Sequence, residues 1–399
     1  MPSPAPRRAR GLLACLAVAC TLASPAARAQ ERGPTAIGPE ALQEAIDHLG
    51  DLDYPTRVAA ARAIRRAPPA QVVPALVDAV GNHADGYIRF RALVLLTDFP
   101  DPRVEDLMVE GLGSANDRLR EVAYAYFEQH PSPAIVRRLL AALDTEDGEF
   151  VRPSLVRALA ASGDDPAVRD ALVRDVARGV DYFRSTVIEA LGDYRRAWAV
   201  PALIEVAKLD GPLQDDAAIA LGKIGDRRAL GTLAELQRTA PKETQPAVAA
   251  AICLLGVNCD SHIGYLDRVL RFADDNPGYQ PLLRGAAAGL GSIAAFAGRS
   301  DANDPLLEIG IPSQDPLRAP IALALGQVAL RNPERMLDTL ESHPDQARAI
   351  GLVAEGFDML EEDLAEERFF VFVRRAYWAA DEGSPRRALC EQLITRLDF

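Results

Sequence analysis

Two stretches of the chain, VIEALGDYRRAWAVPAL (residues 187–203) and AIALGKIGDRRALGTLAEL (residues 218–236), carry the same features in the same order. Each contains Gly-Asp, then Arg-Arg-Ala, and apolar runs rich in alanine and leucine. The apolar residues recur at intervals of three and four, which is typical of amphipathic helices and not of strands. Because the same pattern returns after roughly thirty residues, we expect a helical unit that is repeated along the chain.

The glycines and aspartates of the two stretches are predicted to mark turns. We expect Gly192 and Gly225 to end one helix, because a helix C-terminus favours glycine in the left-handed conformation. Asp193 and Asp226 would then begin the next helix, where a carboxylate accepts hydrogen bonds from the free amides of the first turn. The duplicated stretch therefore indicates architecture and no chemistry of its own.

Arginine recurs near the start of successive helical patterns and marks the units. The first five markers are 31 or 32 residues apart, glutamine takes the place of arginine in the next two, and arginine returns in the last four. The tetrapeptide Val-Pro-Ala-Leu at residues 73–76 recurs 127 residues later, a distance of four units. The series predicts an all-α fold of about eleven units, each with two helices. The markers are Arg57, Arg89, Arg120, Arg152, Arg184, Gln214, Gln245, Arg284, Arg318, Arg348 and Arg387.

The units read roughly as Asp, then Val-Arg, then Ala-Leu-Gly, and in this they resemble the HEAT-repeat family, specifically the short bacterial repeats also found in phycobilisome lyases. The resemblance covers residues 39–399 and departs from the pattern at Gln214 and Gln245. It implies a right-handed, armadillo-like α-solenoid whose second helices line the concave face and whose marker arginines pair with turn aspartates between adjacent units. The last unit, about 362–399, is expected to be a C-terminal cap. The matching pairs are Asp53 with Arg57, Asp85 with Arg89, Asp117 with Arg120, Asp147 with Arg152, Asp181 with Arg184, Asp315 with Arg318, and Asp345 with Arg348.

The N-terminus has the pattern of a secretory signal peptide. Three arginines among the first ten residues precede the apolar run GLLACLAVACTLA, and the triplet Ala-Arg-Ala follows. We expect cleavage after Ala29, which leaves residues 30–38 as a linker to the solenoid and makes the mature protein periplasmic or secreted. A lipoprotein signal ending at Cys15 is the alternative. The apolar run is too short for a spanning helix.

The charge of the mature chain narrows the class of partner. Removal of residues 1–29 takes away four arginines and no acidic residue, which leaves 40 basic and 57 acidic residues and a net charge of −17. Because neutralisation of phosphates supplies much of the affinity for nucleic acid, we expect no nucleic-acid partner. Solenoids expose long curved surfaces, so a protein or peptide partner is expected, with the oligomeric state left open.

Two surfaces are candidates for holding that partner. Positions one, two and five after each marker avoid the apolar stripe and should face outward on the concave side. The segment RFFVFVRRAYWAAD near the C-terminus either packs its aromatic residues against the final helix or exposes them as a patch that grips a partner. The concave candidates are Arg62, Arg91, Glu121, Ser154, Arg157, Ser185, Glu189, Asp215 and Asp216. The aromatic candidates are Phe369, Phe370, Phe372, Tyr377 and Trp378.

Three cysteines remain after signal removal. Cys253 and Cys259, in the run CLLGVNC, are predicted to form a disulfide in an oxidising compartment. Closing so short a loop would contribute roughly 2 kcal/mol in the chain-entropy model. Cys390 is expected to be a small buried residue rather than a nucleophile, because no histidine lies near it in sequence.

Motifs for catalysis are absent from the sequence. The five histidines lie far apart, and no set of His, Cys or carboxylate residues has the short spacing of a zinc site. The sequence also has no nucleophile elbow, phosphate-binding loop or dinucleotide fingerprint. We therefore expect no metal, no cofactor and no catalytic residue, and a non-catalytic scaffold. The alternative, implied by the resemblance alone, is a bilin lyase or isomerase or another small-ligand-binding protein.

Overall fold

The computed structural model describes residues 35–276, 278–360 and 362–397, which belong to one compact unit. The predicted signal peptide, residues 1–29, lies outside the described residues. The described chain folds into twenty-two α-helices and four short 3₁₀ helices, which confirms the all-α prediction. The helices are α1 (Pro39–Asp47), α2 (Tyr54–Arg66), α3 (Pro69–Asn82), α4 (Gly86–Leu96), α5 (Pro102–Gly111), α6 (Asp117–Gln129), α7 (Val136–Leu143), α8 (Arg152–Ala161), α9 (Pro166–Val176), α10 (Asp181–Asp193), α11 (Val200–Ala207), α12 (Gln214–Ile224), α13 (Leu230–Thr239), α14 (Gln245–Leu254), α15 (Cys259–Asp275), α16 (Gln280–Phe296), α17 (Asp304–Gly310), α18 (Arg318–Arg331), α19 (Pro333–Ser342), α20 (Gln346–Leu360), α21 (Asp363–Ala379) and α22 (Pro385–Arg396).

The helices pack in sequential pairs, α1 with α2, α3 with α4, and so on to α21 with α22. This gives eleven units in the part of the chain that the structure describes, and the second helix of each unit contains its marker residue. Each pair packs on the next along the chain. A stack of helical hairpins of this kind is an α-solenoid.

The second helices of the units form the inner layer of the solenoid. From α4 to α20, consecutive second helices pack closely, whereas consecutive first helices make few contacts. Second helices four units apart also meet, since Nε of Arg331 in α18 lies 3.7 Å from a carboxylate oxygen of Asp193 in α10. The layer that packs more tightly lies on the inside of the curve, so the second helices face inward.

Glycine and alanine allow the inner helices to approach closely. A Cβ atom on Gly192 of α10 would lie 2.8 Å from the Cα atom of Ala220 in α12. A Cβ atom on Gly222 of α12 would lie 2.6 Å from the Cα atom of Ala251 in α14. No side chain fits at these distances, so at each glycine the neighbouring helix lies directly against the backbone.

The two predicted turn glycines have different outcomes. Gly225 follows α12 in the left-handed conformation, at φ 79°, and Asp226 accepts a hydrogen bond from the Arg228 amide, as predicted. Gly192 lies inside α10, so the prediction that it ends a helix is wrong. Its counterpart in the second stretch is Gly222, because both glycines make the close contact with the next inner helix.

The turn after α10 is built without glycine. Arg195 takes the left-handed conformation there, at φ 51°, three residues after Gly192, just as Gly225 lies three residues after Gly222. Asp193 is the last residue of α10 and therefore does not begin the next helix, contrary to the prediction. Its carboxylate instead accepts a hydrogen bond from Lys223 Nζ at 2.7 Å.

The side chains of the marker residues donate hydrogen bonds to carbonyls at the end of the first helix of their own unit. Nε of Arg89 donates to the Val80 carbonyl at 2.8 Å, and Nε2 of Gln214 donates to the Ala207 carbonyl at 2.9 Å. The last carbonyls of a helix have no donor within the helix, so a side-chain N–H satisfies them. The predicted pairing of the marker arginine with a turn aspartate is wrong for Arg89, whose guanidinium donates to the Val80 carbonyl. Glutamine replaces arginine because the carbonyl needs a donor and not a charge.

Most other markers make the same contact with a carbonyl at or just after the end of the preceding helix. Arg184 pairs in addition with Asp181 at 2.9 Å. Arg348 pairs instead with Asp345, at 2.7 Å. The further carbonyl contacts are those of Arg57, Arg120, Arg152, Arg184, Gln245, Arg318 and Arg387.

The eleventh unit contacts the beginning of the array as well as its end. Helix α21 packs against α22 and α18, and it also contacts α4 and α6 of the second and third units. The predicted C-terminal cap, residues 362–399, thus has a second set of neighbours. The curvature of the inner layer brings these distant units together.

Candidate functional site

Helix α21 meets the inner layer of the early units through paired charges. Nε and Nη2 of Arg65, near the end of α2, donate to the two carboxylate oxygens of Glu367 in α21, each at 2.5 Å. The two residues are 302 positions apart in sequence, and their side chains are only 6% and 5% exposed. A buried ion pair needs good geometry to offset desolvation, and two parallel N–H···O bonds supply it.

Asp98 joins this pair as a second carboxyl group. One of its oxygens lies 3.8 Å from Nε of Arg65, and it shares a hydrogen bond with Glu367. Burial and then the negative charge of Glu367 raise the pKa of Asp98 well above its usual value. Burial opposes ionisation of Glu367 too, but the charge of Arg65 prevails and lowers the pKa of that carboxyl. Of the two carboxyl groups, Asp98 is therefore the one that binds a proton more readily, and in that form its O–H donates a hydrogen bond to Glu367.

Two more inner arginines face the start of α21. Nη1 of Arg91 in α4 donates to a carboxylate oxygen of Asp363 at 2.5 Å. Arg157 in α8 lies between Glu128, at 3.2 Å, and Glu362, at 4.0 Å. Carboxylates at the start of a helix also interact favourably with its dipole. We name these contacts the closure interface, which consists of Arg65, Arg91, Arg157, Glu362, Asp363 and Glu367.

A small cleft of about 30 Å³, partly open to solvent, runs along the closure interface. Glu121 and Arg157 lie on one wall, and Asp363 lies on the other. Burial and then the charge of Asp363 raise the pKa of Glu121 to about 7. The same two causes raise the pKa of Glu366, in α21, to about 8. Carboxyl groups beside the interface therefore bind protons near neutral pH.

The structure brings five of the nine predicted concave residues to two neighbouring clefts of the inner layer. Glu121, Ser154 and Arg157 line the first cleft, and Arg157, Ser185 and Glu189 line the second. Arg91 contacts Asp363 of the closure interface instead. The remaining three, which are partly exposed on the inner helices α2 and α12, are Arg62, Asp215 and Asp216.

Several of these predicted residues are engaged by neighbours within the chain. The expectation that they face outward is wrong for Ser154, which is buried and whose hydroxyl oxygen accepts a hydrogen bond from Nη2 of Arg157 at 3.2 Å. The hydroxyl of Ser185 donates to Asp216 at 2.6 Å. Glu189 is exposed. The predicted residues thus lie on the inner helices, but several are bonded within the chain, and the early half of the concave face holds α21.

The sequence interpretation missed a second group of inner ion pairs. Asp193 accepts a hydrogen bond from Lys223 at 2.7 Å and lies 3.7 Å from Arg331, and the side chains of Asp193 and Lys223 are each 9% exposed. The Tyr194 hydroxyl donates to Glu128 at 2.7 Å. A signal was present, because Asp193 and Lys223 each follow the Ala-Leu-Gly run of adjacent units and have opposite charges.

The C-terminal aromatic residues do not form an exposed patch. Phe369, Phe370 and Tyr377 are buried, and Phe372 is partly buried against the core. Trp378 is the exception, with 49% of its surface exposed. The rings pack partly on the final helix, as expected, since the Arg387 guanidinium of α22 lies 4.5 Å from the ring centre of Tyr377. They also pack elsewhere, because Phe369 contacts Phe357 of α20 at 5.2 Å between ring centres.

Cys253 and Cys259 form the predicted disulfide, and Cys390 is buried. The sulfur atoms of Cys253 and Cys259 are bonded, and their Cα atoms are 4.2 Å apart. Cys390 is buried, and burial raises the pKa of its thiol to about 11. A thiol with so high a pKa is protonated at neutral pH and is a weak nucleophile.

An edge of the solenoid carries exposed apolar side chains that the sequence interpretation missed. Eight of the twelve exposed large apolar residues in the described part of the chain lie two to five positions before a marker, in the turn between the helices of a unit or at its end. The turns of neighbouring units touch, since the Tyr182 hydroxyl donates to the Glu149 carbonyl at 2.9 Å. The sequence signal for this surface was an apolar residue in each of these turns, where a polar residue was expected. The eight residues are Leu52, Tyr54, Tyr87, Phe150, Val180, Tyr182, Leu209 and Tyr279.

In residues 35–276, 278–360 and 362–397, no group of three or more His, Cys, Asp or Glu side chains is arranged to hold a metal ion. Nor do they include a helix that is long and apolar enough to cross a membrane.

The paired helices, the inner layer of second helices and the marker contacts define a helical-repeat solenoid. Residues 42–128 match the family model described as HEAT repeats, and residues 213–239 match the model described as PBS lyase HEAT-like repeat. The chain is therefore an α-solenoid, and two of its segments match models of HEAT repeats. No curated protein matches it in sequence.

Solved structures of larger solenoids are similar to the chain. Importin beta is 12% identical, with a TM-score of 0.38, over 90% of this chain and 58% of that one. Kap121p bound to Pho4p is 16% identical, with a TM-score of 0.35, over 90% of this chain and 46% of that one. The chain thus spans about half the length of these solved proteins.

Proposed function

We propose that the protein is an exported, non-catalytic HEAT-repeat scaffold that binds a protein partner through the concave face of its inner helices. One observation carries the proposal: the inner helices of the early units already hold a helix, α21, through the arginine–carboxylate contacts of the closure interface. A surface that holds one helix by directional charged bonds has the chemistry needed to hold another.

The partial exposure of the ion pairs also favours partner binding over a purely structural role for the closure interface. Arg91 and Asp363 remain 22% and 33% exposed, so water and a partner can reach part of the interface. The adjoining clefts add the carboxylate of Glu189 and the carboxyl of Glu121 as further polar contacts. Charged inner faces of this kind select partners by complementarity and set the rate of encounter.

The non-catalytic part of the proposal rests on the state of the candidate nucleophile and base. Cys390 is buried with a raised thiol pKa, and no histidine is among its described contacts. Burial lowers the pKa of His262 on α15, and no charged group contributes to that shift. The export part rests on the signal-like N-terminal sequence, and the prediction of periplasmic or secreted location follows from it.

The test is capture of partners by the mature chain, residues 30–399, from an envelope extract of the source cells, with crosslinking and mass spectrometry. We expect one protein enriched above background and crosslinked to the inner helices. The double variant R91E/R157E should lose it, whereas the matched control R103E, on the first helix α5, should retain it. Retention of a chromophore or another small molecule with no protein would instead favour a lyase-like or ligand-carrying function.

The same experiment also tests the exposed turn residues as an alternative binding surface. If the partner uses the edge of the solenoid, F150S/L209S should abolish capture while R91E/R157E leaves it unchanged. That result would keep the scaffold function and overturn the assignment to the concave face.

A further inference from the structure

We propose that α21 is an internal occupant of the groove formed by the early inner helices, and that the partner presents an acidic helix which replaces α21 when the eleventh unit moves away. The inference rests on the proposed function and adds the chemical class of the partner. It also makes access to the groove a regulated step, because the chain's own helix must leave first.

The groove places three arginines opposite α21, although the carboxyl groups of Asp98, Glu121 and Glu128 lie beside them. Arg65, Arg91 and Arg157 come from the second helices of the first, second and fourth units and converge on one end of α21. Arg65 and Arg91 bond to carboxylates of α21, and Arg157 lies between Glu128 and Glu362, so the arginines of the groove meet the acidic start of α21. Such a cluster selects carboxylates, because each guanidinium offers a fork of N–H donors that matches a carboxylate.

Helix α21 shows which side chains fit the groove. Asp363 and Glu367 are four residues apart and therefore lie on the same face of the helix, one turn after the other. Phe370 lies three residues further along that face, and the Arg65 guanidinium is 4.9 Å from the centre of its ring. The fitting face thus has an acidic residue, a second acidic residue four positions later and an aromatic residue three positions after that.

The occupied groove also has an apolar floor. Phe90, Val122 and Leu364 line the cleft along the closure interface, together with the charged residues described above. A partner helix therefore gains from an apolar side chain next to its first carboxylate, in the place that Leu364 takes in α21. An amphipathic acidic helix meets these requirements, and a basic or fully polar segment does not.

The contact between α21 and the early units is limited enough to be replaced. Helix α21 touches α4 and α6 at few points, whereas neighbouring second helices such as α18 and α20 pack along their length. A partner with the same carboxylates would form one new ion pair for each one broken, so the exchange leaves no buried arginine unpaired. Each unit of a solenoid packs mainly on its neighbours, so small changes between units add up to movement of the last one.

The test uses the full mature chain and a fluorescein-labelled synthetic peptide of residues 362–379, which reproduces α21. Fluorescence anisotropy measures binding of this probe to the wild type and to D363N/E367Q, in which the chain's own carboxylates are neutralised. If the groove is closed in about nine molecules of ten, freeing it strengthens the apparent affinity by about tenfold. R65Q/R91Q/R157Q should bind the probe at least about tenfold more weakly than D363N/E367Q does.

Two controls keep the result interpretable. E355Q removes an exposed bidentate partner of Arg318 between neighbouring units and should leave probe binding as in the wild type. A probe peptide with D363N and E367Q should bind every protein variant equally weakly. Circular dichroism establishes that each variant is folded, and small-angle X-ray scattering should give a larger radius of gyration for D363N/E367Q than for the wild type.

The inference is overturned if D363N/E367Q binds the acidic probe no better than the wild type, or if the neutral probe binds as well as the acidic one. These results are separable from failure of the proposed function. If the probe binds but no partner is captured from the extract, the scaffold function is rejected, and the inference that α21 occupies the groove still holds. Capture that is unaffected by R65Q/R91Q/R157Q would keep the scaffold and reject the acidic helix.

Discussion

Substitution of Gly356 by alanine tests whether backbone contact between inner helices sets the geometry of the solenoid. Gly356 lies in α20, and a Cβ atom there would be 2.2 Å from the Ala322 carbonyl oxygen of α18 and 3.0 Å from the Cα atom of Gly326. Both neighbours are backbone atoms, which cannot rotate away as a side chain would. The helices must therefore separate by roughly 1 Å to regain van der Waals contact.

The magnitude follows from two opposing effects. Overpacking of this kind costs about 1–3 kcal/mol, and the upper part of that range applies because the neighbour is backbone. Alanine has a higher helix propensity than glycine, which returns about 1 kcal/mol. We expect Gly356→Ala to lower the free energy of unfolding by about 2 kcal/mol.

The matched control is Gly351→Ala in the same helix. An added Cβ atom at Gly351 meets nothing within 4 Å, so only the propensity effect applies there. We expect this variant to be more stable than the wild type by about 0.5–1 kcal/mol. Urea denaturation followed by circular dichroism measures both changes, and hydrogen exchange in α18 and α20 localises them. Equal stability of the two alanine variants would refute the reasoning about backbone contact.

Three further predictions concern protons, helix ends and the disulfide. Burial raises the folded-state pKa of Glu366 from 4.5 to about 8, so the folded protein binds this proton more tightly than the unfolded chain does. The resulting stabilisation is fully present below about pH 4.5 and is lost as the pH rises to about 8. The stability advantage of Glu366→Gln over the wild type should therefore grow across that window in pH-dependent denaturation, and a constant difference would contradict it. Gln214→Leu leaves the Ala207 carbonyl without its donor and should cost about 1–3 kcal/mol in thermal or urea unfolding, whereas Gln214→Arg should change stability little. If Cys253 and Cys259 are bonded in the exported protein, alkylation of the unfolded mature chain labels one cysteine before reduction and three after it, as read by mass spectrometry, and three labels without reductant would exclude the bond.

The repeat architecture could be predicted from sequence because each of its determinants lies within one unit. The marker spacing located all eleven second helices in the described chain, including those in which Gln214 and Gln245 replace arginine. The chemistry of the marker was harder to predict, since a carbonyl acceptor has no signature in the sequence. The Gly-Asp pairs misled in one case, because aligning Gly192 with Gly225 shifted the register by three residues. The Ala-Leu-Gly runs, which make the close contact, give the correct alignment.

The closure interface could not be predicted from the same patterns. It joins Arg65 to Glu367 across 302 residues, and no local periodicity relates them. Their meeting depends on the small rotation between each unit and the next, which accumulates over ten steps. A difference of a few degrees per unit would leave α21 far from α4. For that reason the repeat pattern could place these residues on the inner helices but could not predict that the last unit contacts them.

The same small residues that make the repeat recognisable also control access to the groove. Where glycine meets alanine or glycine, the inner helices approach more closely than the outer ones, so each unit turns toward the inside of the curve. That turning carries α21 onto the arginines of the early units. A substitution that separates two inner helices, such as Gly356→Ala, should therefore also weaken the closure interface and strengthen binding of an acidic helix. If it destabilised the fold and left that binding unchanged, curvature and access would be independent properties of the solenoid.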